Sequence, residues 1–251
     1  MINAEKFPIY SELLKAKATS QKKFFALIDP DKLSFDRIDL MIQMSQEVSI
    51  DGFFIGGSLI VNDVLDDIIL RVKANCTIPV ILFPGSSRQL SYRADALLFL
   101  SLISGRNPEL LIGKHVETAP YLKMSPLEII STGYMLIDGG VPTSVSYMSN
   151  TYPIPAMKND IAVCTAIAGE LLGLKLIYMD AGSGAKQPIS PTMIEAVSGA
   201  IDIPLIVGGG IRSAQRAYQN VQAGADMIVV GNALEKDPHL IMDIATAVHS
   251  A

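Results

Sequence analysis

Three glycine-rich stretches of the sequence contain the residue types that bind a phosphate. They are Tyr178-Met179-Asp180-Ala181-Gly182-Ser183-Gly184, Gly208-Gly209-Gly210-Ile211-Arg212-Ser213 and Gly231-Asn232-Ala233. Glycine lets the backbone approach an anion closely, and the N–H groups that begin a following helix supply hydrogen-bond donors. We therefore predict a phosphate site built from these stretches. The alternative is that the glycines only form tight turns between strands and helices.

Asp180 adds a carboxylate to the first of these stretches. A carboxylate beside a phosphate site can accept a proton from a hydroxyl group of the substrate. An aspartate at the end of a strand also often caps the next helix, and this structural role remains the alternative.

A second acidic group lies early in the chain, where Asp29 and Asp31 occur in the sequence Asp-Pro-Asp-Lys. Aspartate oxygens are hard ligands of the kind that Mg²⁺ accepts together with substrate phosphates. The hydroxyl of Ser58, which follows two glycines, is a further candidate ligand for the same ion. The structural alternative is that these residues cap the first and second helices.

An unusually apolar segment, LLFLSLISG, follows further along the chain. We predict that Phe99, Leu102 and Ile103, together with Tyr134, line a groove that leads away from the phosphate site. Taken singly, each of these residues also fits an ordinary core position. His115 is assigned to a surface helix, and none of the three histidines has metal-binding spacing.

The elements that must position these residues recur along the chain as short apolar runs followed by amphipathic stretches. The runs are Phe24–Ile28, Gly52–Ile55, Pro79–Phe83, Ala96–Leu100, Ile129–Ile137, Leu176–Met179, Pro204–Val207 and Met227–Val230. Near-continuous apolar runs are typical of parallel strands that are buried on both faces. Eight such alternations predict an α/β fold, a (β/α)8 TIM barrel, as a single domain over residues 1–251. A doubly wound open sheet is the structural alternative.

Serines mark the predicted helix starts. Ser34, Ser87, Ser190 and Ser213 each precede an amphipathic segment, and Ser11 is expected to open an additional N-terminal helix before the barrel. In a barrel of this type, catalytic groups lie at the carboxyl ends of the strands, where the glycine-rich stretches and acidic residues occur.

Composition narrows the classes of function. The 251 residues are 49% hydrophobic and 18% charged, which excludes a disordered or fibrous protein. A formal charge of −5 argues against general nucleic-acid binding, which needs a basic surface. The sequence has neither a signal-peptide pattern nor an apolar run long enough to span a membrane, so we expect a cytoplasmic protein.

Seven motifs occur in order along most of the chain. They are DPDK, GGS, FPGSxxQ, SxxSGRNP, YxxAGSGA, GGGIRS and VGNxxE. This ordered set resembles the geranylgeranylglyceryl phosphate synthase family, which includes heptaprenylglyceryl phosphate synthases, and is most similar to its second group. The resemblance implies transfer of a polyprenyl group, such as geranylgeranyl, from its diphosphate to the 3-hydroxyl of sn-glycerol 1-phosphate. The product would be a precursor in ether-lipid and phospholipid biosynthesis.

The resemblance also implies roles for residues at the motif positions. Asp29 and Ser58 would bind Mg²⁺, and Asp180 would act as the catalytic base. The glycerol 1-phosphate site would consist of Tyr178, Met179, Asp180, Ala181, Gly182, Ser183, Gly184, Gly209, Gly210, Gly231 and Asn232.

Two positions depart from the pattern of the family. Position 180 is Asp, where the family commonly has Glu. Leu27 replaces a lysine that the first group has two residues before the metal-binding aspartate, so Lys32 and Lys158 become candidates for the missing positive charge.

Two other functions remain as alternatives at this level. A phosphosugar isomerase or epimerase would use the same phosphate loops, but would need a second acid or base across the barrel and no lipid groove. A barrel that only binds a phosphorylated ligand would leave the acidic residues without a role. For the prenyltransferase we expect a homo-oligomer and transient membrane contact for product release, while the sequence does not fix the length of the prenyl chain.

Overall fold

A computed structural model describes residues 8–251, in which eight parallel strands form a closed barrel. Each strand pairs with the next along the chain, and β8 pairs with β1. The strands are β1 Lys23–Ile28, β2 Gly52–Ile55, β3 Val80–Leu82, β4 Ala96–Leu102, β5 Glu128–Leu136, β6 Leu176–Asp180, β7 Leu205–Gly208 and β8 Met227–Val230. The predicted (β/α)8 barrel is confirmed and the open sheet is excluded. Residues 1–7 of the predicted domain lie outside the described residues.

Helices surround this barrel. They are α1 Pro8–Ala18, α2 Phe35–Glu47, α3 Leu65–Asn75, α4 Lys114–Met124, α5 Ser144–Ser149, α6 Asn159–Leu171, α7 Pro191–Ser198, α8 Ala214–Gln222, α9 Asn232–Lys236 and α10 Leu240–His249, with one π-helical turn at Glu109–Gly113. The additional N-terminal helix is therefore present, but Ser11 lies inside it because the helix already includes Pro8. Ser190 and Ser213 cap α7 and α8 through their hydroxyls, as predicted. Ser34 precedes α2 without a side-chain cap.

Side chains alternate between two apolar layers, one inside the barrel and one between the barrel and its helices. On β6, Tyr178 belongs to the inner layer and Met179 to the outer layer. Because successive side chains of a strand point to opposite faces, burial of both faces requires an apolar residue at nearly every position. This explains why the strands could be recognised from continuous apolar runs.

The layer of helices around the barrel is interrupted between β3 and β4, although these two strands are paired. Within the described chain, residues 83–95 form no helix, so the helix predicted after Ser87 is absent. The register between the two strands includes just Ile81 with Ala96 and Leu82 with Leu97. The outer face of β4 is therefore not covered by a helix from this connection, and this opening contributes to the cavity described below.

The N-terminal helix α1 covers the other end of the barrel. The Glu128 carboxylate accepts hydrogen bonds from the N–H groups of Ile9 and Tyr10, at 2.9 and 2.8 Å. The Tyr10 hydroxyl donates to the Lys175 carbonyl at 3.1 Å. A buried carboxylate at the start of a helix satisfies N–H groups that have no partner within the helix. These contacts place α1 at the amino ends of the strands, opposite the predicted site.

Candidate active site

A cavity of about 1330 Å³ opens at the carboxyl ends of the strands. Its volume exceeds the roughly 300–1,000 Å³ of a typical small-molecule site. One end of the cavity is polar and is formed by the loops after β1, β2, β6, β7 and β8. The other end is apolar and runs between β4, the π-helical turn, α4 and α5. We call these two parts the polar end and the apolar arm.

Asp180 lies where the polar end meets the apolar arm, and it is buried. Its Oδ2 accepts a hydrogen bond of 2.6 Å from the Tyr134 hydroxyl, and its Oδ1 accepts one of 2.7 Å from the Gly182 N–H. The strand register produces this pair, because Tyr134 lies opposite Tyr178, two residues before Asp180. Burial raises the pKa of Asp180, while the two hydrogen bonds oppose that rise by stabilising the carboxylate.

Tyr178 lies beside this pair and fills the barrel interior. Its ring stacks on Phe83 with the centroids 5.2 Å apart, and it meets the Tyr134 ring edge-on at 5.5 Å. A Cβ at Gly208 would lie 2.6 Å from the Tyr178 hydroxyl, so a glycine at the end of β7 makes room for this side chain. Burial, followed by the nearby Asp180 charge, raises the pKa of Tyr178 well above its ordinary value.

The glycine loop after β7 crosses directly over Asp180. Gly209 has a φ of +77°, and a Cβ at this position would collide with Asp180 Oδ1 and lie 2.7 Å from the backbone nitrogens of Ala181 and Gly182. Gly210 has a φ of +71°. Both the backbone conformation and the close approach therefore require glycine at position 209. The loop leaves backbone groups, rather than side chains, facing this part of the cavity.

Side chains from three different loops meet at the polar end. The Ser183 hydroxyl donates to Asn232 Oδ1 at 2.9 Å, and Lys32 Nζ donates to the Ser183 hydroxyl at 3.3 Å. Lys32 also forms an ion pair of 2.8 Å with Asp29 and lies 3.8 Å from Glu235. Burial raises the pKa of Glu235, and the Lys32 charge opposes that rise. Lys32 thus connects the predicted metal ligand to the predicted phosphate site.

Asp29 and Ser58 lie on the same wall of the polar end. A Cβ at Gly57 would lie 3.2 Å from Asp29 Oδ2, which places the carboxylate against the backbone that leads into Ser58. Asp31 lies outside the cavity wall, and its carboxylate orders the loop after β2 by accepting hydrogen bonds from Val61 and Asn62. Residues 8–251 contain no cluster of three or more His, Cys, Asp or Glu side chains that could hold a metal ion.

Phe99, Leu102 and Tyr134 line the cavity as predicted, whereas Ile103 does not. A Cβ at Gly133 or Gly169 would lie 2.8 Å from the Ile103 Cδ1, so this side chain packs in the outer layer. The prediction for Ile103 is therefore wrong. Met179 and Ala181 are also buried outside the cavity lining, whereas every other residue of the predicted glycerol-phosphate set lines it.

His115 is buried and lines the apolar arm, which corrects its assignment to a surface helix. Its ring meets Phe99 edge-on with the centroids 4.4 Å apart, and its Nε2 shares a hydrogen bond of 3.3 Å with the Ser101 hydroxyl. Burial lowers the pKa of His115, so its ring is neutral at neutral pH. No feature of the sequence indicated this placement, because it depends on how α4 packs against Phe99 and Ser101 of β4.

Two further site residues belong to motifs but received no role from the sequence. Gln89 joins the loops after β2 and β3: its Oε1 accepts from the N–H groups of Gly57 and Gly85 at 3.3 and 3.0 Å, and its Nε2 donates to the Gly57 carbonyl at 2.8 Å. Glu235 faces Lys32. Gln89 is the final residue of the FPGSxxQ motif, and Glu235 is the final residue of VGNxxE, so the motifs were the sequence signal for both residues. Of the two lysines proposed to replace the missing charge, Lys32 lies in the site and Lys158 is exposed outside it.

Solved structures with similar folds include some that are also similar in sequence and others that are not. The chain matches the crystal structure of (S)-3-O-geranylgeranylglyceryl phosphate synthase from Thermoplasma acidophilum in complex with its substrate sn-glycerol-1-phosphate. The TM-score is 0.91 at 30% identity, covering 96% of this chain and 98% of that one. Tryptophan synthase from Mycobacterium tuberculosis matches with a TM-score of 0.59 at 15% identity, covering 96% of this chain and 97% of that one, and this supports the barrel fold alone.

Relatives found by sequence agree with the match to the Thermoplasma acidophilum synthase. Geranylgeranylglyceryl phosphate synthases from Chitinophaga pinensis and Spirosoma linguale are 56% and 50% identical to the chain. The first match covers 97% of this chain and 96% of the relative, and the second covers 92% and 93%. The model of the PcrB family matches residues 17–249. The chain therefore belongs to the PcrB family of geranylgeranylglyceryl phosphate synthases, as its ordered motifs predicted.

Proposed function

We propose that the protein transfers a polyprenyl group from its diphosphate to the 3-hydroxyl of sn-glycerol 1-phosphate. The observation that carries this proposal is the position of the Tyr134–Asp180 pair, between a polar end suited to phosphate and an apolar arm suited to a hydrocarbon chain. The names of its relatives and the bound substrate of the Thermoplasma acidophilum structure support the same reaction. A small sugar phosphate, as in the isomerase alternative, would have no use for the apolar arm.

The phosphate of the acceptor would lie over the glycine loops after β6, β7 and β8. Backbone N–H groups can bind it although the chain has a net charge of −5, because their partial charges are local and fixed. Lys32 adds a full positive charge at Ser183 and Asn232. This arrangement would direct the 3-hydroxyl of the glycerol towards Asp180.

Asp180 would receive the proton as the reaction proceeds. The bond between the allylic carbon and the diphosphate oxygen breaks, the hydroxyl oxygen forms the new ether bond to that carbon, and the hydroxyl proton moves to the Asp180 carboxylate. An allylic electrophile needs correct placement of the hydroxyl more than a strong base. The hydrogen bonds from Tyr134 and Gly182 hold the carboxylate in position for this transfer.

Asp29 and Ser58 would hold Mg²⁺ together with the diphosphate. One carboxylate and one hydroxyl on the same wall fit this ion, which commonly binds few protein ligands along with substrate phosphates. When bound, Mg²⁺ would neutralise charge that develops on the leaving diphosphate. Lys32, which pairs with Asp29 here, can shift towards Glu235 or towards a phosphate when that carboxylate is engaged.

The polyprenyl tail would occupy the apolar arm. Burial of each methylene group contributes about 0.8 kcal/mol, so a long tail supplies a large part of the binding energy. Phe99 and Leu102 line this arm, while the neutral His115 and its hydrogen bond to Ser101 let a histidine form part of an apolar wall.

The proposal is tested by incubating the purified protein with Mg²⁺, sn-glycerol 1-phosphate and a radiolabelled prenyl diphosphate. We expect label to enter a phosphate-containing product that extracts into organic solvent. Parallel reactions contain Asp180→Asn protein, excess chelator, or sn-glycerol 3-phosphate as the acceptor, and each should give much less product. Conversion of a sugar phosphate without any prenyl transfer would favour the isomerase or epimerase alternative. The absence of any product would favour a barrel that only binds a phosphorylated ligand.

Within residues 8–251, no helix has the length and apolar character needed to cross a bilayer.

A further inference from the structure

Large apolar side chains are exposed on the loop after β2 and on the connection from β5 to α6, which includes α5; both follow the carboxyl ends of strands, where the cavity opens. We call this group the apolar rim; its members are Leu59, Val61, Tyr147, Met148, Tyr152 and Met157. Val61 is 74% exposed, and Tyr147, Tyr152 and Met157 are 84%, 92% and 90% exposed. A concentration of exposed apolar side chains on one face of a protein is typical of an interaction surface.

Part of the apolar rim also lines the cavity. Leu59, Val61 and Met148 are exposed to solvent and also line the cavity, whereas Tyr147, Tyr152 and Met157 lie outside its lining. Met148 lies on α5, which borders the apolar arm, so this side chain is exposed at the surface and also belongs to the wall of the arm.

Charges on the surrounding loops suit a surface that carries phosphate groups. Exposed acidic side chains on the loops after β2 to β7 include Asp63, Glu109 and Asp138. Exposed basic side chains on the same loops are more numerous, although the whole chain has a charge of −5; they include Arg88, Arg106, Lys158, Lys186 and Arg212. Tyrosine is also a residue that favours the boundary between lipid and water, because its ring is apolar and its hydroxyl is polar.

We propose that the apolar rim docks the protein on the surface of an anionic lipid bilayer, with the mouth of the cavity facing the lipid. This inference rests on the proposed function, since a polyprenyl substrate or product gives the path its use. The rim side chains enter the headgroup region, the basic side chains contact lipid phosphates, and the tail passes between bilayer and apolar arm without full exposure to water.

The opposite end of the barrel offers a matched control. Met124 ends α4 shortly before β5, Leu171 ends α6 shortly before β6, and Leu172 follows Leu171, so all three lie towards the amino ends of the strands. Their side chains are 75%, 82% and 78% exposed, close to the values in the rim. Apolar exposure is thus similar at the two ends, while part of the rim also lines the cavity.

The test compares two triple variants with the parent protein by cosedimentation with vesicles. The rim variant carries Tyr147→Ser, Tyr152→Ser and Met157→Ser, and the control variant carries Met124→Ser, Leu171→Ser and Leu172→Ser. With vesicles of phosphatidylcholine and phosphatidylglycerol, we expect the affinity of the rim variant to be at least about tenfold lower than that of the parent. The reason is that the variant loses three membrane-inserting side chains. The control variant should bind like the parent, and all three proteins should bind more weakly to vesicles of phosphatidylcholine alone.

Activity with a detergent-solubilised prenyl diphosphate is measured in parallel, because it needs no vesicle. Equal rates for the parent and both variants, together with selective loss of vesicle binding, support docking through the rim. Equal vesicle binding by the parent and the rim variant overturns the proposal, and so does an equal loss in both variants. A smaller assembly of the rim variant than of the parent in light scattering, without a change in vesicle binding, would overturn docking on lipid and instead assign the rim to contact with a second copy. A parent that binds vesicles through the rim but transfers no prenyl group would overturn the proposed function alone.

Discussion

Removal of the Tyr134 hydroxyl should change the pH at which the protein works. Tyr134 donates a hydrogen bond of 2.6 Å to the buried Asp180 carboxylate. That bond favours the ionised carboxylate and so counteracts the rise that burial causes in the pKa of Asp180. Tyr134→Phe deletes the donor while it leaves the ring in place.

The size of the change follows from the energy of one hydrogen bond to a charged group. Such bonds contribute about 1.5–3 kcal/mol, and one pKa unit corresponds to about 1.4 kcal/mol. The pKa of Asp180 in Tyr134→Phe should therefore rise by about 1–2 units. Since only the ionised form accepts a proton, the acidic limb of the pH–rate profile should move to higher pH, with a larger loss of kcat at low pH than at high pH.

The assay is the pH dependence of kcat at saturating substrates, measured for the parent, Tyr134→Phe and Tyr178→Phe. Tyr178→Phe is the matched control, because it removes an equally buried hydroxyl while both hydrogen-bond donors to Asp180, Tyr134 and Gly182, remain in place. Its acidic limb should stay where the parent's lies. An acidic limb that stays in place in Tyr134→Phe would refute the assignment of Asp180 as the base.

The remaining predictions concern the phosphate loop, the metal ligand, the apolar arm and stability. Gly209→Ala should raise the KM for sn-glycerol 1-phosphate in initial-rate measurements, because the new Cβ collides with the Asp180 carboxylate. An unchanged KM would mean that the loop only forms a turn and does not bind the phosphate. Asp29→Asn should raise the KM for the prenyl diphosphate by about tenfold to a hundredfold and raise the Mg²⁺ concentration needed for half-maximal rate. Leu102→Trp should shift the preference among prenyl diphosphates towards shorter tails, by about 0.8 kcal/mol for each methylene that no longer fits. Burial alone would raise the pKa of Asp51, but hydrogen bonds from His249, Lys23 and the Phe24 N–H hold that pKa below its ordinary value. Asp51→Asn should therefore lower the free energy of unfolding by about 1–3 kcal/mol at pH 7, a difference that urea titrations should show shrinking as the pH falls through the lowered pKa.

The barrel could be predicted from the sequence because its strands are buried on both faces. A strand in that position needs apolar residues almost without interruption, and such runs are visible without any knowledge of the tertiary structure. The glycine loops were equally visible, since at Gly209 the φ of +77° and the approach to Asp180 both require glycine. Properties that depend on local backbone chemistry were therefore accessible.

Properties that depend on the direction of a side chain or on a missing element were not accessible. Ile103 follows the last residue of β4, where the chain leaves the strand, so its face could not be read from the alternation within the strand. Ser87 has the sequence of a helix cap, but the connection to β4 stays irregular. His115 belongs to the cavity wall because of how α4 packs against β4, which the sequence does not specify. The Tyr134–Asp180 bond depends on the register of β5 and β6, which the sequence alone does not specify.

The most direct test of the proposed reaction follows one oxygen atom. sn-Glycerol 1-phosphate labelled with ¹⁸O at its 3-hydroxyl is incubated with the protein, Mg²⁺ and geranylgeranyl diphosphate, and the products are analysed by mass spectrometry. Attack by the hydroxyl on the allylic carbon predicts ¹⁸O in the ether of the lipid product and unlabelled diphosphate. Recovery of the label in diphosphate or inorganic phosphate, or a lipid product without the label, would contradict the account.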